Sequence, residues 1–245
     1  PEEQAYIIGV QANIWGEYIQ TPEYFEYMAF PRLLAMSEVQ WTQPEHKDFE
    51  SFARRLDKEF ERLDYCGVNA CRNFYEVNQT GAWNKSQQTY EVTLNTFCPD
   101  ADIYYAVNDS TVNTSSSLYG TPIPLDEDAT VYSAVYRDGK PLGKVTRKSF
   151  AVNKATGCDY TCNPEAGWEH LNKGFGLTDG RCGYARDMRR WISFYQDTVQ
   201  IVVELKKPQK VKEVAFSSLW RPVNGIWPAR AMGVSVSMDG QTFIP

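Results

Sequence analysis

Residues 6–14, Tyr-Ile-Ile-Gly-Val-Gln-Ala-Asn-Ile, form a nearly continuous apolar run, the pattern of a parallel strand buried on both faces. A short loop, Trp15-Gly16-Glu17-Tyr18, follows. Thr21 then stands at a helix N-cap, with Pro22 at the first helical position and Glu23 in the first turn. Each favours a helix start: the hydroxyl caps an amide, the ring fixes φ, and the carboxylate faces the positive end of the macrodipole. Apolar residues at 24, 27, 28, 34, 35 and 41 continue at helical spacing, with Pro31 predicting a kink and Pro44 a stop. A second helix carries Phe49, Phe52, Leu56, Phe60 and Leu63 on one face and ends at Gly67. Strand, loop and two helices make the tail of an α/β unit.

A polar connector rich in Asn and Gln spans residues 76–89, and the periodicity then drops to two. Tyr90, Val92 and Leu94 alternate with polar residues, as do Ile103, Tyr105 and Val107. Residues 130–136 predict another strand, and Asp138-Gly139 a hairpin turn into Gly143 to Val152. This set is expected to form a small β-sandwich. Farther on, Thr198 to Leu205, Val211 to Ser217 and Gly233 to Met238 predict the strands of a second β-domain.

Composition narrows the function classes. Of 245 residues, 42% are hydrophobic and 14% aromatic, and the formal net charge is −6. That is an ordinary globular balance, and an acidic chain without basic runs is a poor match to nucleic acid or anionic lipid. No window reaches the ~18 apolar residues of a membrane span, and the start lacks a signal-peptide pattern. The chain begins at Pro1 and stops just past a strand-like stretch, so both ends are expected to be cuts. The aromatic load suits strand-rich cores or surfaces that stack on sugars.

The segment Gly9-Val-Gln-Ala-Asn-Ile-Trp-Gly-Glu17, with Tyr27-Met28-Ala-Phe30-Pro31-Arg32-Leu-Leu-Ala35 and Glu38-Val39-Gln40-Trp41, closely resembles the C-terminal end of the catalytic barrel of glycoside hydrolase family 20, the β-N-acetylhexosaminidases. The likeness covers about residues 6–70. It implies that Trp15 packs against the sugar in the −1 subsite and that Glu17 accepts hydrogen bonds from its distal hydroxyls. An indole offers an apolar face to the C–H side of a pyranose, and a carboxylate accepts two hydroxyl donors. Loops at the C-terminal ends of barrel strands are where such enzymes hold ligands. Glu38 and Arg32 read as an ion pair or as solvated helix residues.

In that family an Asp-Glu pair works with the substrate's own acetamido group: the acetamido oxygen attacks the anomeric carbon, the Asp steadies it and the Glu protonates the leaving oxygen. Asp126-Glu127 is the only Asp-Glu in the chain and sits in a polar loop of the sandwich, where it reads as solvated surface. The catalytic pair is therefore expected to lie outside this chain, and no catalytic residue is assigned within it.

Asp102–Thr111, Ser117–Ile123 and Tyr132–Lys140 resemble the small C-terminal β-sandwich of bacterial chitobiases and hexosaminidases. The family's Asp-Gly-Ser-Thr turn is here Asn108-Asp-Ser-Thr111, which leaves its geometry open. Leu177-Thr-Asp-Gly180, Trp191-Ile-Ser-Phe194, Val202 to Leu205 and Val234 to Gly240 resemble a discoidin-type jelly roll, a fold often used for glycan binding. Trp191 reads as core, whereas Trp220 and Trp227, in loop-like sequence, are candidates for stacking on glycan. Asp179 offers one calcium ligand, but Arg181 beside it is wrong for that ion.

Six cysteines stand at 66, 71, 98, 158, 162 and 182. Cys158, Cys162, His170 and Cys182 match no familiar zinc spacing, so neither a metal nor a cofactor is expected. A Cys158–Cys162 bridge fits the extracytoplasmic, bacterial setting implied by the resemblance.

The reading is thus a multidomain α+β chain. The end of a (β/α)8 barrel occupies residues 1–80, a small immunoglobulin-like β-sandwich 81–155, and a partial discoidin-like β jelly roll 156–245. The function implied is release of terminal N-acetylglucosamine or N-acetylgalactosamine from glycans by substrate-assisted retaining hydrolysis. The alternative is a non-catalytic glycan-binding or scaffold protein that uses the β-domains. An apolar strand at 6–14 without neighbours is expected to self-associate or to give up strand geometry.

Overall fold

The computed structural model describes residues 3–165, 176–181, 183 and 191–245. Three helices come first: α1 (Pro22–Ala29), α2 (Arg32–Trp41) and α3 (Phe49–Tyr65). Thr21 caps α1 as its spacing requires, Oγ1 accepting from the Tyr24 amide at 3.1 Å. Asp48 caps α3, its carboxylate accepting from the amides of Glu50 and Ser51. At the far end of α3, Gly67 takes φ +71°, while its amide donates to Asp64 and that of Val68 to Leu63. These two bonds satisfy carbonyls that the helix end would otherwise leave unpaired.

Pro31 does more than kink a helix. Phe30 is extended, at φ −105° and ψ 138°, as a residue before proline prefers, and α1 and α2 are separate helices with a cis Phe30–Pro31 bond between them.

The sandwich consists of two antiparallel sheets. One has the order β1-β2-β5, from β1 (Asn78–Asn84), β2 (Thr89–Asn95) and β5 (Ile123–Leu125). The other runs β4-β3-β6-β7, with β8 also on β6, from β3 (Asp102–Val107), β4 (Ser117–Leu118), β6 (Ala129–Arg137), β7 (Lys140–Pro141) and β8 (Thr146–Phe150). Tyr90, Val92 and Leu94 point inward from one sheet, and Ile103, Val131, Val135 and Phe150 from the other. The hairpin at Asp138-Gly139 has both residues in the left-handed region, φ 51° and 73°, the turn whose twist matches its strands. Asn108 supplies the open turn geometry: at φ +58° its backbone amide donates to the Thr130 carbonyl at 2.7 Å and its side-chain Oδ1 accepts from the Thr130 amide at 2.8 Å.

Residues 78–84 are a strand, not part of a polar connector. Gln79 is buried and donates to Ser133 Oγ at 2.8 Å and to the Thr146 carbonyl at 3.2 Å, so a polar side chain here occupies a core position. Gly81 is required by its neighbours, since a Cβ there would stand 2.3 Å from the Tyr90 hydroxyl.

The third region corrects two expectations. A two-stranded antiparallel sheet joins β9 (Asp159–Asn163) to β10 (Gln200–Glu204), but 211–217 and 233–238 form no strands, apart from a lone bridge between Val236 and Ile244. Val214, Phe216, Val234 and Met238 are exposed, so their apolar pattern has no opposing sheet to bury against among the described residues. Without that second layer a strand gains little over open chain. The jelly roll expected over 156–245 is therefore not assembled among the described residues.

The first strand is corrected for the same reason. Residues 7–15 carry no strand pairing, and Ile7, Ile8 and Val10 are exposed. A two-faced apolar strand is stable only between neighbours, and no described segment supplies one. No helix among the described residues is long and apolar enough to cross a membrane.

Candidate functional site

Trp15 and Glu17 sit on a single 3-10 turn, Gly16–Tyr18, directly before α1. The turn is closed by backbone bonds from Tyr18 to the Trp15 carbonyl and from Ile19 to that of Gly16. The chain leading into it is tied to α2 by Gln40, whose amide nitrogen donates to the Val10 carbonyl at 3.0 Å. The Trp15 ring is 69% exposed and Glu17 is exposed. Neither side chain has a hydrogen bond, ion pair or ring contact among the described residues. The two predicted sugar contacts thus stand two residues apart on one turn, both exposed among the described residues.

Glu38 and Arg32 do not pair with each other. Arg55 on α3 holds Glu38 in a two-pronged contact, at 2.7 and 3.1 Å, and that hydrogen bonding keeps the Glu38 carboxyl below its ordinary pKa. Arg32 instead donates to the carbonyls of Tyr27 and Met28 at the end of α1. Both residues serve helix packing.

Asp126 and Glu127 are exposed in the sandwich loop, as expected of solvated surface. Trp220 and Trp227 are each about two-thirds exposed. Trp191 is half-buried, its indole so close to Gly183 that a Cβ there would clash at 2.4 Å. Asp179 accepts from the amides of Gly176 and Arg181, which makes it a turn residue. No metal-binding group is found among the described residues, and His170 and Cys182 lie outside them. The expected Cys158–Cys162 bridge is not formed: both are free thiols, the first buried and the second half-buried. They lie four residues apart, and β9 begins between them.

A polar cluster that the sequence does not announce joins α3 to the sandwich. Asp57 accepts from Arg137 and from the Tyr75 hydroxyl, both at 2.6 Å. Arg137 also reaches the Cys98 sulfur at 2.9 Å and the Pro99 carbonyl at 3.0 Å. Burial, and then the bond to Asp57, push the Tyr75 hydroxyl far above its ordinary pKa. Burial likewise raises the Cys98 thiol, so it remains protonated and inert. The cluster's four members, Asp57, Tyr75, Cys98 and Arg137, are 18 to 80 residues apart in sequence, which leaves no local spacing to find.

Sequence comparison bears directly on the exposed turn. Residues 1–44 match the glycosyl hydrolase family 20 catalytic domain, and residues 79–147 the chitobiase/beta-hexosaminidase C-terminal domain. A beta-hexosaminidase of Porphyromonas gingivalis (strain ATCC BAA-308 / W83) is 48% identical over 68 residues, 28% of this chain and 9% of that protein. A beta-N-acetylhexosaminidase of Cellulomonas fimi is 38% identical over 50 residues, 20% of this chain and 10% of that protein. The aligned part of the chain thus spans about a tenth of the length of these relatives. The catalytic-domain match contains Trp15 and Glu17, the C-terminal-domain match contains most of the sandwich, and together with the two relatives they support reading the chain as similar to parts of a glycosyl hydrolase family 20 β-N-acetylhexosaminidase.

Proposed function

We propose that the protein containing this chain releases terminal N-acetylglucosamine or N-acetylgalactosamine from glycans by substrate-assisted retaining hydrolysis. The observation that carries this reading is the placement of Trp15 and Glu17, inside the family 20 match, on one exposed turn and without side-chain partners among the described residues. An uncommitted indole and carboxylate at adjacent positions suit a pyranose, the ring meeting its C–H face and the carboxylate its hydroxyls. The catalytic Asp-Glu pair belongs to sequence outside this chain. Here Trp15 and Glu17 bind and orient, and the chemistry is supplied elsewhere in the barrel that residues 1–44 help to complete. The sandwich is structural support. Trp220 and Trp227, both exposed, offer further glycan contacts, and the protein acts outside the bacterial cytoplasm.

The test is hydrolysis of an aryl N-acetyl-β-glucosaminide by the whole protein and by this chain alone. The whole protein turns the substrate over and loses efficiency on substitution of Trp15 or Glu17. The isolated chain gives no turnover above a buffer blank. Activity of the isolated chain that survives repurification and is abolished by substituting one of its own residues would overturn the assignment of the catalytic pair to sequence outside it.

A further inference from the structure

A cleft of about 480 Å³ lies between the β1–β2 turn and the end of the β9–β10 sheet. Its walls hold Trp83, Lys85 and Gln88 from one side, and Asp159, Glu204 and Lys206 from the other. The volume falls within the range of small-ligand sites. Asp159 and Glu204 face each other across the β9–β10 ladder, and like charges directly opposite are unfavourable in a sheet. Neither carboxylate has a hydrogen bond or ion pair among the described residues, although two lysines line the same cleft.

The indole of Trp83 has two close neighbours. Gly157, at φ +72°, brings its backbone so near that a Cβ would lie 2.1 Å from the ring. The Lys206 ammonium stands over the ring, 3.8 Å from its centroid, held by attraction to the π system. This contact holds the ammonium beside the cleft, where its donors have no acceptor among the described residues.

We propose that this cleft binds a neutral oligosaccharide. Two carboxylates and two ammonium groups cancel, so neither an anion nor a cation meets a favourable net charge. The walls are too polar for an apolar ligand, which would leave all four charges buried without partners. A polyol answers each group: every hydroxyl both donates and accepts, so it satisfies carboxylate, ammonium and the Gln88 amide alike. Identification of the oligosaccharide as N-acetylhexosamine-containing rests on the function proposed above, and the site would hold a part of the glycan remote from the bond that is cut.

The experiment is isothermal titration calorimetry on the full 245-residue chain, with a trimer of β-linked N-acetylglucosamine and, separately, a trimer of glucose. Saturable binding of either in the millimolar range or tighter is expected, weakened about tenfold by Glu204→Gln or by Lys206→Met, with unchanged circular dichroism and melting temperature. Asp126→Asn, in the exposed sandwich loop, is expected to leave this binding unchanged. Binding of the glucose trimer alone would support the cleft while counting against the hexosamine reading. Absence of saturable heat with both trimers, indifference to both cleft variants, or preference for a sulfated or a deacetylated oligomer would each overturn the proposal.

Discussion

Arg137, at the end of a sandwich strand, and Asp57, midway along α3, form a 2.6 Å ion pair that is about three-quarters buried. The pair lies beside a continuous apolar core in which Leu56 and Phe60 of α3 pack with Tyr75, Val77 and Val135. The last helix and the sandwich are therefore one packing unit, held by buried apolar surface and oriented by a charged hydrogen-bond cluster. Asp57→Asn leaves the Arg137 guanidinium without its counter-charge, and its Nε is already without a partner. We expect Asp57→Asn to cost about 1–3 kcal/mol, less than a fully buried pair because water still reaches it. Urea unfolding checks this, and a double-mutant cycle with Arg137→Met should return a coupling well above that of the exposed Arg62–Glu59 pair.

Acid should loosen the helices before the sandwich. Glu38 is lowered from 4.5 by its hydrogen bonds to Arg55, and Asp100 from 3.8 by those to Arg54. A carboxyl with a depressed folded pKa contributes stability that is present above its unfolded pKa and lost as pH falls through the folded one. Helical circular dichroism should therefore weaken below about pH 4.5, and Arg55→Gln should flatten that dependence. An Arg55→Gln variant with the parental acid profile would contradict the assignment.

The parts of the fold that the sequence made legible rest on local chemistry. Thr21 and Pro22 fix a helix start within one turn, and Gly67 fixes an end through its own φ. The strand β2 follows from alternation, because one of its faces is fully buried. What failed depends on partners that no local window contains. Residues 6–14 need flanking strands, and 211–217 need an opposing sheet. β1 was hidden for the opposite reason: Gln79 satisfies its amide nitrogen on Ser133 and Thr146, more than fifty residues away, so polarity there does not mean exposure. Of the proposed site, Trp15 and Glu17 rest on the motif around them. The Trp83 cleft was not, since its walls are brought together only by the β9–β10 pairing.

Glu17→Gln in the whole protein should weaken substrate handling without removing the chemistry. Replacing a charged acceptor of sugar hydroxyls by a neutral one costs about 1.5–3 kcal/mol, which is roughly ten- to a hundredfold in kcat/KM. Trp15→Ala should act in the same direction through lost ring contact. An unchanged kcat/KM for Glu17→Gln would return that residue to the role of a solvated loop charge.

The last expectation concerns the uncovered apolar face of the isolated chain. Ile8 is fully exposed, and Tyr6, Ile7 and Trp41 are at least 70% exposed, while α2 buries none of its residues fully. Such a contiguous apolar surface marks an interaction site or an aggregation hazard. Residues 7–15 carry no strand pairing among the described residues, and a second copy can cover their side chains and bond their backbone by pairing along them. We expect light scattering to show reversible association that grows with concentration. Ile8→Asp should shift it toward monomer without altering the melting temperature, because Ile8 contributes nothing to the folded core. A monodisperse monomer at high concentration, with slow amide exchange across residues 6–14, would show that this segment is protected within a single chain and would defeat the expectation.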